Sequence, residues 1–208
     1  MRQLATLFLV TLLTTGLHGQ DDPRIYIFDG VQTTHVDLNS ENTYSQPYDL
    51  KPGYFVGMAY LIPSGDNTLK LGLILGQRRI GNKNFLQLTD VSGTALARLE
   101  EQKPGSNFTL NVFSAYQWQF GNWRIGAGLQ LRLQTNQRMR VEYGNGEEET
   151  FVIRSFKNVL FDLPVELSYH IKQYSILFRY ERGLMNRLHS TVTKEYENTF
   201  KLGVGYSF

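Results

Sequence analysis

KLGVGYSF, residues 201–208, reads as an amphipathic strand. With Phe200 it places Phe200, Leu202, Val204, Tyr206 and Phe208 on one side of an extended chain, and Lys201, Gly203, Gly205 and Ser207 on the other. Working back toward the N-terminus, the same period of two returns in one segment after another. Residues 174–184 carry Tyr174, Ile176, Phe178 and Tyr180 on their apolar face, and 156–169 carry Val159, Phe161, Leu163, Val165, Leu167 and Tyr169. Residues 123–135 present Trp123, Ile125, Ala127, Leu129, Leu131 and Leu133, and 107–120 present Phe108, Leu110, Val112, Tyr116, Trp118 and Phe120. Residues 68–79 alternate through Leu69, Leu71, Leu73 and Leu75, and 53–62 through Tyr54, Val56, Met58, Tyr60 and Ile62. An eighth strand over 24–38 completes an even count, although its alternation is poor after Phe28. The connections at 63–67, 121–122 and 170–173 are short, while those near 80–106, 136–155 and 185–193 are mostly longer. This asymmetry predicts an all-β fold, an eight-stranded antiparallel up-and-down transmembrane β-barrel with short periplasmic turns and long outer loops.

The two ends of the sequence agree with export. Arg2, the apolar run LATLFLVTLL and the small or polar residues Thr14, Thr15, Gly16 and Gly19 read as a secretory signal over 1–19, cleaved before Gln20, leaving a barrel domain over 20–208. The spacing of Lys201, Gly203, Tyr206 and Phe208 resembles the assembly signal of bacterial outer-membrane proteins, so the barrel-assembly machinery is an expected partner and the outer membrane the expected location. The sequence holds no cysteine, which excludes a lipoprotein anchor, a disulfide framework and thiol chemistry. A mean hydropathy of −0.30 is too polar for a bundle of membrane helices, but suits a barrel in which alternate residues meet lipid. A formal charge of +2 offers no case for nucleic acid.

The complementary faces carry Lys70, Arg78, Arg124, Arg132, Asp162, Glu166, Arg179, Glu181, Glu197 and Lys201. A soluble ligand-carrying barrel would be apolar there. The pattern is inverted, which predicts a lumenal ion-pair network; eight strands enclose a space that side chains nearly fill. Tyr60, Trp118, Phe120, Trp123, Tyr169, Tyr174, Tyr206 and Phe208 cluster near the short-turn ends, as an interfacial aromatic belt would. Pro164 cannot donate to a ladder, so a bulge or bend is expected beside it.

FDLPVELSY at 161–169, KPGYFVGMAY at 51–60, LKLGLILG at 69–76, WRIGAGL at 123–129 and the Gly-aromatic terminus are similar to the strands of the porT-like outer-membrane β-barrel family of Bacteroidota. That resemblance implies an eight-stranded outer-membrane barrel, with some relatives tied to secretion or surface assembly. It carries no catalytic motif across, and the first strand departs most from the pattern.

Chemistry is sparse. His35, His170 and His189 are far apart and have no metal-ligand spacing, and His18 falls within the signal. His189 and Ser190, with Glu195 or Glu197, form the only local hydrolase constellation, but neighbours on an extended chain point opposite ways. Asp162 and Glu166 share a face roughly 13 Å apart, too far for a glycosidase pair. Glu147 to Glu149 sit at a hairpin tip able to hold a divalent cation or remain solvated. Arg78, Arg79, Lys83, Arg138 and Arg140 stand where lipopolysaccharide phosphates would meet them. The expected function is therefore non-enzymatic and cofactor-free: an outer-membrane scaffold or accessory for secretion or envelope assembly, acting through its outer loops on an envelope partner. The competing readings are a small pore, a loop-borne lipid or peptide hydrolase, and a soluble periplasmic barrel.

Overall fold

The computed structural model describes residues 24–39, 48–82, 87–89, 95–98, 106–135, 137–142, 148–153, 157–187 and 194–208. The signal segment 1–19 and its cleavage site lie outside them. Eight long strands close into one barrel: β1 (Arg24–Asn39), β2 (Tyr48–Ser64), β3 (Asn67–Asn82), β6 (Ser106–Phe120), β7 (Trp123–Gln134), β10 (Val159–Ile171), β11 (Tyr174–Gly183) and β12 (Lys194–Ser207). Each pairs antiparallel with its neighbours in the order β1-β12-β11-β10-β7-β6-β3-β2, so no edge is left open. Two small hairpins, β4 (Gln87–Thr89) with β5 (Ala95–Arg98) and β8 (Gln137–Glu142) with β9 (Glu148–Ile153), lie within the long connections. Those connections therefore contain strands where the sequence reading had loops. Glu148 and Glu149 belong to β9 rather than to the tip, and Glu147 lies outside the described residues.

The seam that closes the cylinder joins β1 to β12 over fourteen paired positions, from Tyr26–Ser207 to Asn39–Lys194. The poorly alternating first strand is thus a full barrel strand. Its ladder accepts Thr33, His35 and Asp37 on the outer side beyond the apolar Ile25, Ile27 and Val31. β2 also begins earlier than its alternation suggests, at Tyr48 instead of Gly53, with a register shift between Lys51 and Tyr54.

The short turns are two residues each: Gly65–Asp66, Gly121–Asn122 and Lys172–Gln173. Positive φ falls only at the first residue of each, +61° at Gly65, +58° at Gly121 and +55° at Lys172. That is the II′ pattern, whose twist matches the strands it joins and which ordinarily calls for glycine at that place. Pro164 needs no bulge. Pairing of β10 with β7 lapses between Asp162–Gln130 and Val165–Ala127 and resumes in the same register, so the missing donor is absorbed by a gap in the ladder.

Side chains sort by face. Leu75, Leu129 and Val204 are 57%, 60% and 59% exposed, while Arg179 and Lys70 are 0% and 1% exposed. Outward residues of β10 run from Val159 through Phe161, Leu163, Val165 and Leu167 to Ile171. Twelve steps of about 3.3 Å, tilted by about 40°, make an apolar band roughly 30 Å tall, enough for a bilayer's hydrocarbon core. At the short-turn end the aromatics touch in sequence. Ring centroids are 4.8 Å apart for Trp123 and Tyr169, 5.1 Å for Tyr174 and Tyr206, and 4.8 Å for Tyr206 and Phe208. Oily outside and charged inside, the cylinder is built for lipid.

Candidate functional site

The lumen has two unlike walls. β1, β2 and β6 contribute Tyr26, Phe28, Phe55 and Phe113, which pack with Ala59, Leu61, Ile74, Ala115 and Leu177. Tyr26 stacks on Phe28 at 5.1 Å between centroids, and Phe113 meets Phe28 edge-on at 6.4 Å. Glycine makes these rings fit: a Cβ on Gly57 would enter the Phe28 ring, and one on Gly205 would enter Tyr26. Sequence reading missed this aromatic plug, because Phe55, Ala59 and Leu61 alternate with equally apolar outward residues and carry no face signal of their own.

The opposite wall, from β10, β11 and β12, supplies acids. Glu166 receives Lys70 Nζ at 2.6 Å, Gln117 Nε2 at 2.9 Å and Arg179 Nη1 at 3.3 Å. Arg179 continues to Glu181 at 2.9 Å and to Gln130 at 2.7 Å, and Lys201 reaches Glu181 at 2.7 Å. Toward the long-loop end Glu197 is held by three guanidiniums, from Arg78 and Arg132 at 2.6 Å each and from Arg187 at 2.7 Å. Arg132 also pairs with Asp162 at 3.0 Å, and Arg187 with Glu195 at 2.5 Å. Where the walls meet, cations lie over rings: Lys70 Nζ is 4.4 Å from the Tyr26 centroid, and the Arg179 guanidinium 4.3 Å from that of Phe113. Among the described residues three buried atoms lack a hydrogen bond, Asn111 Oδ1, Arg132 Nε and Asp162 Oδ1, the last of which still faces Arg132 across the ion pair.

Of the ten lumenal residues picked from the sequence, nine are buried and ion-paired to one another or to Arg187. Arg124 is the exception. It stands half-buried at the short-turn mouth, and among the described residues no carboxylate makes an ion pair with it. Arg187 and Glu195 complete the lattice and were not foreseen, since Arg187 falls in a stretch without alternation. Among the described residues six buried cations (Lys70, Arg78, Arg132, Arg179, Arg187, Lys201) face five buried acids (Asp162, Glu166, Glu181, Glu195, Glu197). The space bounded by Tyr26, Lys70, Gln117, Arg124, Glu166 and His170 has no room for a water.

The remaining sequence candidates fall as follows. Arg78 points inward to Glu197, so it is not available to lipid phosphate. The side chains of Arg79, Arg138 and Arg140, and all of Lys83, lie outside those described. So do His18, His189 and Ser190; the acids suggested beside that pair, Glu195 and Glu197, are occupied by arginines inside the barrel. His35 lies on the outer face, 3.2 Å from Asp37, and His170 bonds with Ser168 at 3.1 Å. Within the terminal strand, Lys201 and Gly203 face inward, Tyr206 donates to Gln173 Oε1 at 2.8 Å, and the Phe208 amide donates to the Ile25 carbonyl.

A closed eight-stranded antiparallel barrel with an apolar exterior and a charged, filled interior belongs to the transmembrane barrels. No protein-family model matches the chain, and no curated protein matches it. Among solved structures it is similar to Neisserial surface protein A (12% identity, 90% of this chain and 100% of that one, TM-score 0.46). It is also similar to the N-terminal β-barrel domain of Pseudomonas aeruginosa OprF (12%, 90% and 100%, TM-score 0.39). A third is an outer membrane channel from Pseudomonas putida F1 (9%, 91% and 97%, TM-score 0.38). At these scores the likenesses carry no argument about what this chain does.

Proposed function

We propose that this protein is a non-enzymatic outer-membrane anchor that presents its long-loop end to a partner at the cell surface. The observation that carries the reading is the filled lumen. An aromatic plug and an ion-pair lattice occupy the bore side by side, and the space between Tyr26, Lys70, Gln117 and Glu166 has no room for a water. Such a cylinder suits anchoring better than transport. The apolar band and aromatic belt favour a bilayer, and an eight-stranded barrel of this kind suits the bacterial outer membrane. In that setting the short turns face the periplasm, and the β4–β5 and β8–β9 hairpins face outward, where lipopolysaccharide and an envelope or secretion protein are the expected contacts. The resemblance to the porT-like family is what supports a role in secretion or envelope assembly, an argument from analogy.

Planar-bilayer recording of the purified barrel tests the reading. We expect no stable current; a persistent, reproducible conductance would replace the anchor with a small pore. Replacing residues 137–153 with a short turn should leave membrane insertion unchanged and abolish cross-links to a surface partner in intact cells.

A further inference from the structure

The short-turn mouth is furnished unlike the rest of the lumen. A cup of about 550 Å³ opens there, and its polar lining comes from Arg24 on β1, Asn67 and Thr68 on β3, Gln119 on β6, Arg124 on β7 and Asp66 in the first turn. Deeper in, every buried cation among the described residues has a carboxylate. In the cup, the two guanidiniums act on each other as like charges. Neither makes a hydrogen bond or ion pair with a described residue. Glu166, which lies outside the lining, is already taken by Lys70, Arg179 and Gln117. The side-chain amides of Asn67 and Gln119 and the Thr68 hydroxyl also make no hydrogen bond among the described residues. Asp66 is the one acid of the lining, and it is exposed at the rim. Leu61 belongs both to this lining and to the aromatic cluster, so the plug forms the cup's inner limit.

Unspent donors on several sides of a cup call for an acceptor-rich guest. A guanidinium fork binds two oxygens of one oxyanion, and a low-dielectric wall strengthens the attraction. A planar carboxylate offers two oxygens and satisfies one fork. A phosphate offers three or four oxygens in different directions, matching forks from β1 and β7 with amides from β3 and β6. We propose that the cup binds a phosphate group, held between Arg24 and Arg124, and carried either by free phosphate or by the headgroup of an adjacent membrane lipid. This holds whether or not the barrel conducts, and whatever meets the opposite end.

The test uses the complete barrel in neutral detergent, with backbone amide signals of Gly65, Asn67 and Gly121 followed by NMR at constant ionic strength. Inorganic phosphate should produce saturable shifts at these three, with acetate at least tenfold weaker. Arg124→Gln should weaken phosphate at least tenfold; Arg24→Gln, at an exposed position, should do the same if the first variant fails to fold. Short-chain phosphatidylglycerol, added at low mole fraction, separates the two sources: competition with phosphate assigns the cup to lipid headgroups, and no competition assigns it to free phosphate. Three outcomes overturn the proposal. One is shifts that follow ionic strength alone, and another is equal affinity in the Arg24→Gln/Arg124→Gln variant. The third is phosphate binding that emerges only when Asp21 and Asp22 are replaced by Asn, which would make the cup's guest the chain's own preceding segment.

Discussion

Replacing Glu197 by Gln keeps the side chain's shape and removes the charge on which three guanidiniums converge at 2.6, 2.6 and 2.7 Å. Their losses are unequal. Arg132 retains Asp162, and Arg187 retains Glu195. Arg78 retains only the hydroxyls of Thr34 and Thr199, at 3.2 and 3.1 Å. The dominant penalty is therefore one guanidinium left buried without a counter-charge, while the buried charges among the described residues go from six cations against five acids to six against four. Breaking a buried pair in this way costs about 3–5 kcal/mol. The assay is equilibrium urea unfolding in lipid vesicles, followed through Trp118 and Trp123, with the slope compared to confirm that the same surface is exposed. Arg78→Met combined with Glu197→Gln removes the orphan and restores the original excess of one cation. Its loss should be clearly smaller than that of Glu197→Gln alone. A single variant within about 1 kcal/mol of the parent, or a double variant worse by the sum of the two singles, refutes the reasoning.

Four further outcomes follow from the same geometry. Asp37→Asn breaks the 2.6 Å pair with Arg182 on the exposed outer rim, and the same unfolding assay should register at most about 1 kcal/mol. Gly57→Ala drives a methyl into the Phe28 ring, so a loss of about 1–3 kcal/mol is expected, and a neutral result would mean the plug is loosely packed. Lys172→Gly relieves a positive φ of 55° and should stabilise by about 1 kcal/mol, read as a higher urea midpoint. Leu129→Arg places a cation on the lipid face at mid-strand and should cost about 2–4 kcal/mol in vesicles.

How much of this was legible in the sequence depends on what period two can encode. Alternation fixes which residues share a face, and it located the long strands to within a few residues wherever one face was polar, as in β7 and β12. It says little where both faces are apolar. GYFVGMAYLI reads the same from either side, so Phe55, Ala59 and Leu61 could not be assigned to the plug, and the inward turn of Tyr26 and Phe28 was equally hidden. Partners across the lumen were out of reach for a different reason. Arg78 and Glu197 stand 119 positions apart and meet only because the cylinder closes. Arg78 was accordingly open to two readings, lumenal and lipid-facing, until closure chose between them. The cup escaped notice because its lining comes from the ends of several strands, where alternation gives way to turn residues.

The central claim is that the apolar side chains contact acyl chains and the charged ones face the axis. The chain has no cysteine, so single replacements can be spin-labelled without background. Leu75→Cys, Leu129→Cys and Val204→Cys label the exposed apolar band, and Asp66→Cys labels a turn. Collisional accessibility in phospholipid bilayers should show the three band labels relaxed by oxygen and shielded from a water-soluble nickel chelate, with the turn label reversed. Band labels open to the chelate, or shielded from both agents as in a folded core, would contradict the account.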